Sequence, residues 1–225
     1  MELFIALGLP IILLVRDIKI RPRDVNAKSH QHFLSALRDG LSYTKRDRFM
    51  VYIFGLTVCV TMVGRGLLET LPIIAQGMFD KGPNELGLLT ASAGGGAIFA
   101  SFAKAAGKPQ EPGTVGFLGI VSSILVPMSI ISLGFSRDII ATAGLLALLG
   151  FSATFFATTM QSAAQLQLTD EFRGRVMSLW TMIAMGGGAI GALILGAVSE
   201  IIGISLTFIV LGGITTIITI FIILF

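Results

Sequence analysis

Arg65 and Glu69 are the only charged residues between Arg48 and Asp80. Four positions apart on a helix, they share a face and can pair. Ionisable side chains in membrane helices are costly and often mark an ion or substrate pathway. In one reading Glu69 exchanges protons while Arg65 tunes it or holds an anionic substrate. In the other, both lie near the outer interface, 17 and 21 residues after Arg48, and snorkel or pair there. A second polar set closes an apolar run: Gln161, Gln165 and Gln167. These amides either line an inner gate and contact substrate, or cap a helix where it meets water. A third set follows at Asp170, Glu171, Arg173 and Arg175. Its arginines either brace neighbouring helix ends against carboxylates such as Asp170 and Glu171, or only orient the chain. Other chemistry lacks its residues. There is no GxxxxGK[ST] phosphate loop and no triad-like set. His30 and His32 have no Cys or carboxylate at metal-ligand spacing. Cys59, the single cysteine, can form no internal disulfide. No cofactor, no metal and no enzymatic activity are expected.

The elements that must carry these residues are membrane helices. In Thr169–Ser199 the polar positions come first, and from Leu179 no charge occurs until Glu200. That is about 20 residues, the length of one bilayer crossing. Gly187–Gly191 is a GxxxG pair with Ala192–Gly196 beside it, a pattern that lets two backbones approach closely in lipid. The whole chain of 225 residues is 54% hydrophobic and only 13% charged, with a mean hydropathy of +0.88. Soluble domains carry about 25% charged residues, so the chain reads as an integral membrane protein.

Six complete spans are expected: Phe49–Phe79 with a kink at Pro72, Leu86–Ala103, Val115–Phe135, Ile139 to about Met160, the glycine-rich run after Leu179, and Ile204–Phe225. Ser92, Gly96 and Ala100 form a small-residue ladder in the second. Residues 1–15 read as the inner end of a preceding spanning helix whose start is missing. That points to a truncated chain or a late gene start, and the apolar finish at Phe225 points the same way. Residues 16–48 read as a cytoplasmic basic linker. Within it Phe33, Leu34, Leu37 and Leu41 recur at helical spacing, as in an amphipathic helix on the membrane surface. The remainder, 49–225, is then the six-helix unit.

Charge fixes the orientation. If 16–48 is cytoplasmic, so are Lys104, Lys108, Arg173 and Arg175, while the opposite loops hold only Lys81 and Arg137. This obeys the positive-inside rule. It also accounts for the basic pI near 9.3 without a nucleic-acid partner. The pentapeptide Gly94-Gly95-Gly96-Ala97-Ile98 recurs as Gly186-Gly187-Gly188-Ala189-Ile190. Each copy lies in the middle span of a group of three, as in an inverted three-plus-three repeat. Gly94, Gly95, Gly96, Gly187 and Gly191 are therefore expected to pack helices rather than bind ligands.

Arg173-Gly174-Arg175-Val176-Met177-Ser178-Leu179, preceded by Gln161 and Asp170-Glu171, resembles a short cytoplasmic loop and helix near the end of major facilitator superfamily transporters. The likeness is greatest to the branch with siderophore and drug exporters. The resemblance covers nearly all residues as a carboxyl-terminal half: the end of a sixth helix, the inter-half linker, and helices seven to twelve. It implies an all-α six-helix bundle and proton-driven efflux of a small molecule by alternating access, in a plasma membrane such as a bacterial inner membrane. The implied partners are the lipid bilayer, a small-molecule substrate, and an amino-terminal six-helix half or a second copy of the chain. Loop 104–112 lacks a clear copy of the superfamily's glycine, acid and arginine loop motif. The other reading is a truncated, non-transporting membrane domain that serves as an interaction partner or is a remnant.

Overall fold

The computed structural model describes residues 33–79 and 82–225, and these form eight helices with no strand among them. In chain order they are α1 (Phe33–Arg46), α2 (Arg48–Glu69), α3 (Leu71–Phe79), α4 (Pro83–Ala106), α5 (Phe117–Phe135), α6 (Ile139–Gln167), α7 (Asp170–Ile202) and α8 (Ile204–Leu224). Six of them, α2 and α4 through α8, are long and apolar enough to cross a membrane. The expected partial helix at 1–15, the linker over 16–32 with His30 and His32, and the turn residues Asp80 and Lys81 lie outside the described residues.

Two boundaries differ from the sequence reading. The expected span Phe49–Phe79 is two helices. The chain leaves helical geometry at Thr70, whose N–H is shared by the carbonyls of Gly66 and Leu67. Pro72 follows in the first turn of α3. It has no N–H for the ladder, and its ring would crowd the carbonyl of Leu68 in a continuous helix. The second difference is at Asp170. The expected polar loop carrying Asp170, Glu171, Arg173 and Arg175 is the first two turns of α7, with Thr169 at the N-cap position but its side chain making no capping hydrogen bond. Acidic residues in a first turn suit the positive end of the helix dipole, and arginine and methionine continue a helix well. The turn between α7 and α8 is a single residue, Gly203, at φ 82°. That left-handed backbone favours glycine over any side chain.

The packing repeats with inverted order. α4 lies most extensively on α6, α2 on α7, and α5 on α8. If the group α2–α4–α5 is exchanged with α6–α7–α8, the first two contacts interchange and the third maps onto itself. Glycine makes both equivalent crossings. A Cβ on Gly96 would overlap the carbonyl of Ala147, and one on Gly150 the carbonyl of Ala93. On the other pair, a Cβ on Gly191 would overlap the carbonyl of Met62, and one on Gly66 would come 2.7 Å from Gly191. The packing thus pairs Gly96 with Gly191, whereas the sequence repeat pairs Gly96 with Gly188. The two registers differ by about one helical turn.

The other expected packing glycines divide. Gly187 lies against Thr61, with 3.2 Å from a built Cβ to Oγ1. Gly94 and Gly95 meet nothing within 4 Å among the described residues, so within this bundle they do not pack α4 against a described neighbour. The buried face of α4 is Leu89, Ala93, Gly96 and Ala100. Consecutive helix residues point about 100° apart, so one glycine of a run of three reaches any given neighbour.

Polar side chains inside the bundle satisfy themselves locally. Thr57 donates to Ile53 O at 2.8 Å, Ser122 to Leu118 O at 2.7 Å, and Ser129 to Leu125 O at 2.7 Å. Among the described residues no buried side-chain nitrogen or oxygen lacks a partner. A bilayer interior offers no water to take that place.

Candidate functional site

Two groups of polar residues mark opposite ends of the bundle. Arg65 and Glu69 lie in the last turns of α2, and Glu69 stands about 32 Å along the axis from Arg48. Their side chains pair, Nε to Oε1 at 3.4 Å, and both are close to half exposed. The pair rests on α7 at Gly188. A Cβ there would come 2.8 Å from Arg65 Cγ and Cδ and 3.0 Å from Glu69 Oε1. The absence of a side chain at Gly188 makes room for the ion pair, one turn from the Gly191–Met62 crossing. An exposed i,i+4 pair contributes only about 0.3–0.5 kcal/mol. Its position at a helix crossing therefore matters more than its energy.

At the basic end, Asp47 joins two spans. Its Oδ1 accepts from Phe49 N at 2.8 Å, capping α2, and its Oδ2 accepts from Gln167 Nε2 at 3.1 Å, holding the end of α6. α1 docks on the start of α7. Tyr43 stacks on Phe172 with ring centroids 4.7 Å apart, and the Arg175 guanidinium lies over the same ring at 5.8 Å. A Cβ on Gly40 would come 3.3 Å from Arg175 O. Of the residues expected on the apolar stripe of this helix, Leu41 is 46% exposed and the side chains of Phe33, Leu34 and Leu37 lie outside the described residues; the described contact is made by Gly40 and Tyr43.

The remaining expected residues fall around this end. Arg173 pairs with Asp170 at 2.8 Å. That contact lies within one helix and bridges no neighbour. Glu171 sits in the same first turn of α7. Gln165 lines an open cavity of about 770 Å³ together with Lys104, Lys108, Gln110, Ser162 and Arg173. Gln161, four residues earlier on α6, is exposed and lies outside that lining. Gln161 and Gln165 are thus not joined into one site, and neither approaches Arg65 or Glu69, which lie at the far end of α2.

Lys104 was not singled out by spacing. It is half-buried near the end of α4, where its Nζ donates to Gln110 Oε1 and to Thr159 Oγ1, each at 3.1 Å, and lies 5.6 Å from the Phe155 ring centroid. The available signal was a lysine directly after an apolar span. Another cavity, about 680 Å³, lies among α2, α7 and α8 and is almost wholly apolar, with Val58, Cys59, Ile183, Ile194 and Ile218 on its walls and Lys45 also lining it.

Six crossing helices, an inverted packing pattern and glycine-built contacts define a polytopic bundle of the kind secondary transporters use. The family model described as transmembrane secretion effector matches residues 4–225, and the chain belongs to this family of the major facilitator superfamily. Membership implies transport or secretion across a membrane by a multi-pass protein, in a family that is generally non-enzymatic. Among curated proteins and among solved structures, none matches the chain significantly.

Proposed function

We propose that the chain is one six-helix half of a secondary transporter that exports a small molecule across a plasma membrane, in exchange for protons, by alternating access. The observation that carries the coupling is the Arg65–Glu69 pair seated on Gly188. A carboxylate that exchanges protons changes its pairing with the neighbouring arginine as it does so. Here that change occurs where α2 and α7 touch, so protonation acts on the packing of two helices as well as on charge. Arg65 tunes Glu69 or receives an anionic substrate while Glu69 is protonated. Gln165, with Gln161 nearby on the same helix, serves the inner mouth. The family description, a secretion effector, supports export as the direction.

Alternating access also needs an opposing bundle. We assign that role to a second six-helix unit, either a preceding part of the same polypeptide or another copy of this chain. α4 and α7, the spans with the least buried surface, supply faces for it.

Inverted membrane vesicles from cells producing the full-length protein test this reading. The vesicle contents are compared by untargeted mass spectrometry with and without an imposed proton gradient. The expected result is gradient-dependent accumulation of at least one small molecule, collapsed by a protonophore and absent from vesicles lacking the protein. Identical contents under all four conditions would remove the export reading.

A further inference from the structure

The cavity at the basic end carries a function of its own. Its charged lining is Lys104, Lys108 and Arg173, and among the described residues no carboxylate lines it. Asp170 draws on Arg173 from outside that lining. Lys104 has no carboxylate partner among the described residues. Two neutral oxygens and an aromatic ring hold its ammonium in place. Gln110, one of those partners, also donates from Nε2 to Thr114 O at 3.1 Å, so the wall of the cavity is braced rather than loose. A smaller cavity of about 340 Å³ shares Lys104, Lys108 and Gln110 with the larger one, and its far side is Phe117, Leu118 and Phe155. One acid, Glu111, lines this smaller space. Phe117 and Leu118 are 77% and 61% exposed at the start of a spanning helix.

We propose that Lys104, Lys108 and Arg173 form a binding site for a phosphate group, and that its source is the headgroup of an anionic phospholipid whose chain lies over Phe117 and Leu118. Basic pockets between membrane helices on the cytoplasmic side suit such headgroups. A cation desolvated by helices and paired only with neutral groups gains most from an anion that completes its coordination. Polar side chains at Gln165 and Ser162 supply further hydrogen bonds to phosphate oxygens. Lys104 and Lys108 belong to the first group of three spans, whereas Gln165 and Arg173 belong to the second. A headgroup bound here ties the two groups together at one end, so its presence stabilises the bundle. The proposal stands independently of proton coupling at Glu69.

The test uses the full chain in a neutral detergent. Its thermal unfolding midpoint is followed while phosphatidylglycerol, phosphatidylcholine or inorganic phosphate is titrated. Wild-type protein is expected to gain several degrees from phosphatidylglycerol and little from phosphatidylcholine, and Lys104→Gln/Lys108→Gln to lose most of that gain. Arg46→Gln/Arg48→Gln removes the same charge from the same side and is expected to keep it. A comparable gain from inorganic phosphate, lost in the lysine variant, keeps the phosphate site but makes its ligand a soluble phosphoester. Equal gains in wild type and lysine variant, or equal losses in the two double variants, would overturn the site, because the effect would then be general surface charge. If the lysine variant is too unstable to purify, Lys108→Gln/Arg173→Gln, whose side chains are exposed, gives the same comparison.

Discussion

At Gly191 one methyl group decides whether α2 and α7 can meet. A Cβ there would overlap the carbonyl of Met62, and backbone cannot swing aside as a side-chain tip can. Overpacking of this kind costs about 1–3 kcal/mol. Gly191→Ala should therefore lower the thermal midpoint in detergent by several degrees, while Gly94→Ala, which meets nothing within 4 Å among the described residues, should leave it unchanged. Gly188→Ala separates packing from function. The added methyl meets the flexible Arg65 side chain and Glu69 Oε1, so the midpoint should move less than for Gly191→Ala, yet gradient-driven transport should fall severalfold. The Gly187–Gly191 spacing was legible as a packing signal because GxxxG places two small residues on one face. Within Gly94-Gly95-Gly96 the Ser92, Gly96 and Ala100 ladder singled out Gly96, and Gly96 and Ala100 are on the buried face while Ala93, not Ser92, is the buried residue before them. Lys104 was missed. Its partners Thr159 and Gln110 come from different elements, and no spacing in the chain announces them.

At the scale of elements, α1 is the least expected docking. Apolar spacing pointed to a helix resting on the membrane through Phe33, Leu34, Leu37 and Leu41. The contacts described for this helix are Tyr43 on Phe172 and Gly40 beside Arg175 O, while the side chains of Phe33, Leu34 and Leu37 lie outside the described residues. An aromatic pair contributes about 0.5–1.5 kcal/mol beyond its buried area. Tyr43→Ala should loosen α1, and limited proteolysis between residues 34 and 46 should accelerate severalfold relative to wild type. An unchanged cleavage rate would mean that the stack does not hold the helix. Six spans could be read from hydropathy because each crossing needs a long uncharged run. Their ends could not, because helices α6 and α7 continue past the apolar run into Gln167 and back to Asp170. Those residues are polar yet favour helix, and hydropathy does not distinguish a wet helix end from a loop. The break at Thr70 was half legible, since Pro72 announced a kink without showing that α2 would stop.

For the whole molecule, inverted symmetry and charge asymmetry are separate clues that agree. The pentapeptide repeat pointed to two groups of three spans, and the α4–α6 and α2–α7 crossings repeat in the same inverted sense, one turn away from the register the pentapeptide implies. The sequence repeat and the packing repeat are out of step because packing depends on which residue faces the neighbour and not on its place in a motif. Lys and Arg gather at the end where Asp47 holds Gln167 and Lys104 holds Gln110, and the Arg65–Glu69 pair stands at the other. The proton coupling proposed above needs a titratable group that communicates with helix packing, and the proposal gives that role to Glu69, which stands against Gly188 at the end opposite the basic loops. The most direct measurement is gradient-driven accumulation of the exported compound in inverted vesicles carrying the full-length protein, wild type beside Glu69→Gln at matched protein levels. Loss of uphill accumulation by about tenfold or more, close to 1.4 kcal/mol of driving force per decade, is the predicted result. Accumulation at the wild-type level in Glu69→Gln would contradict the account.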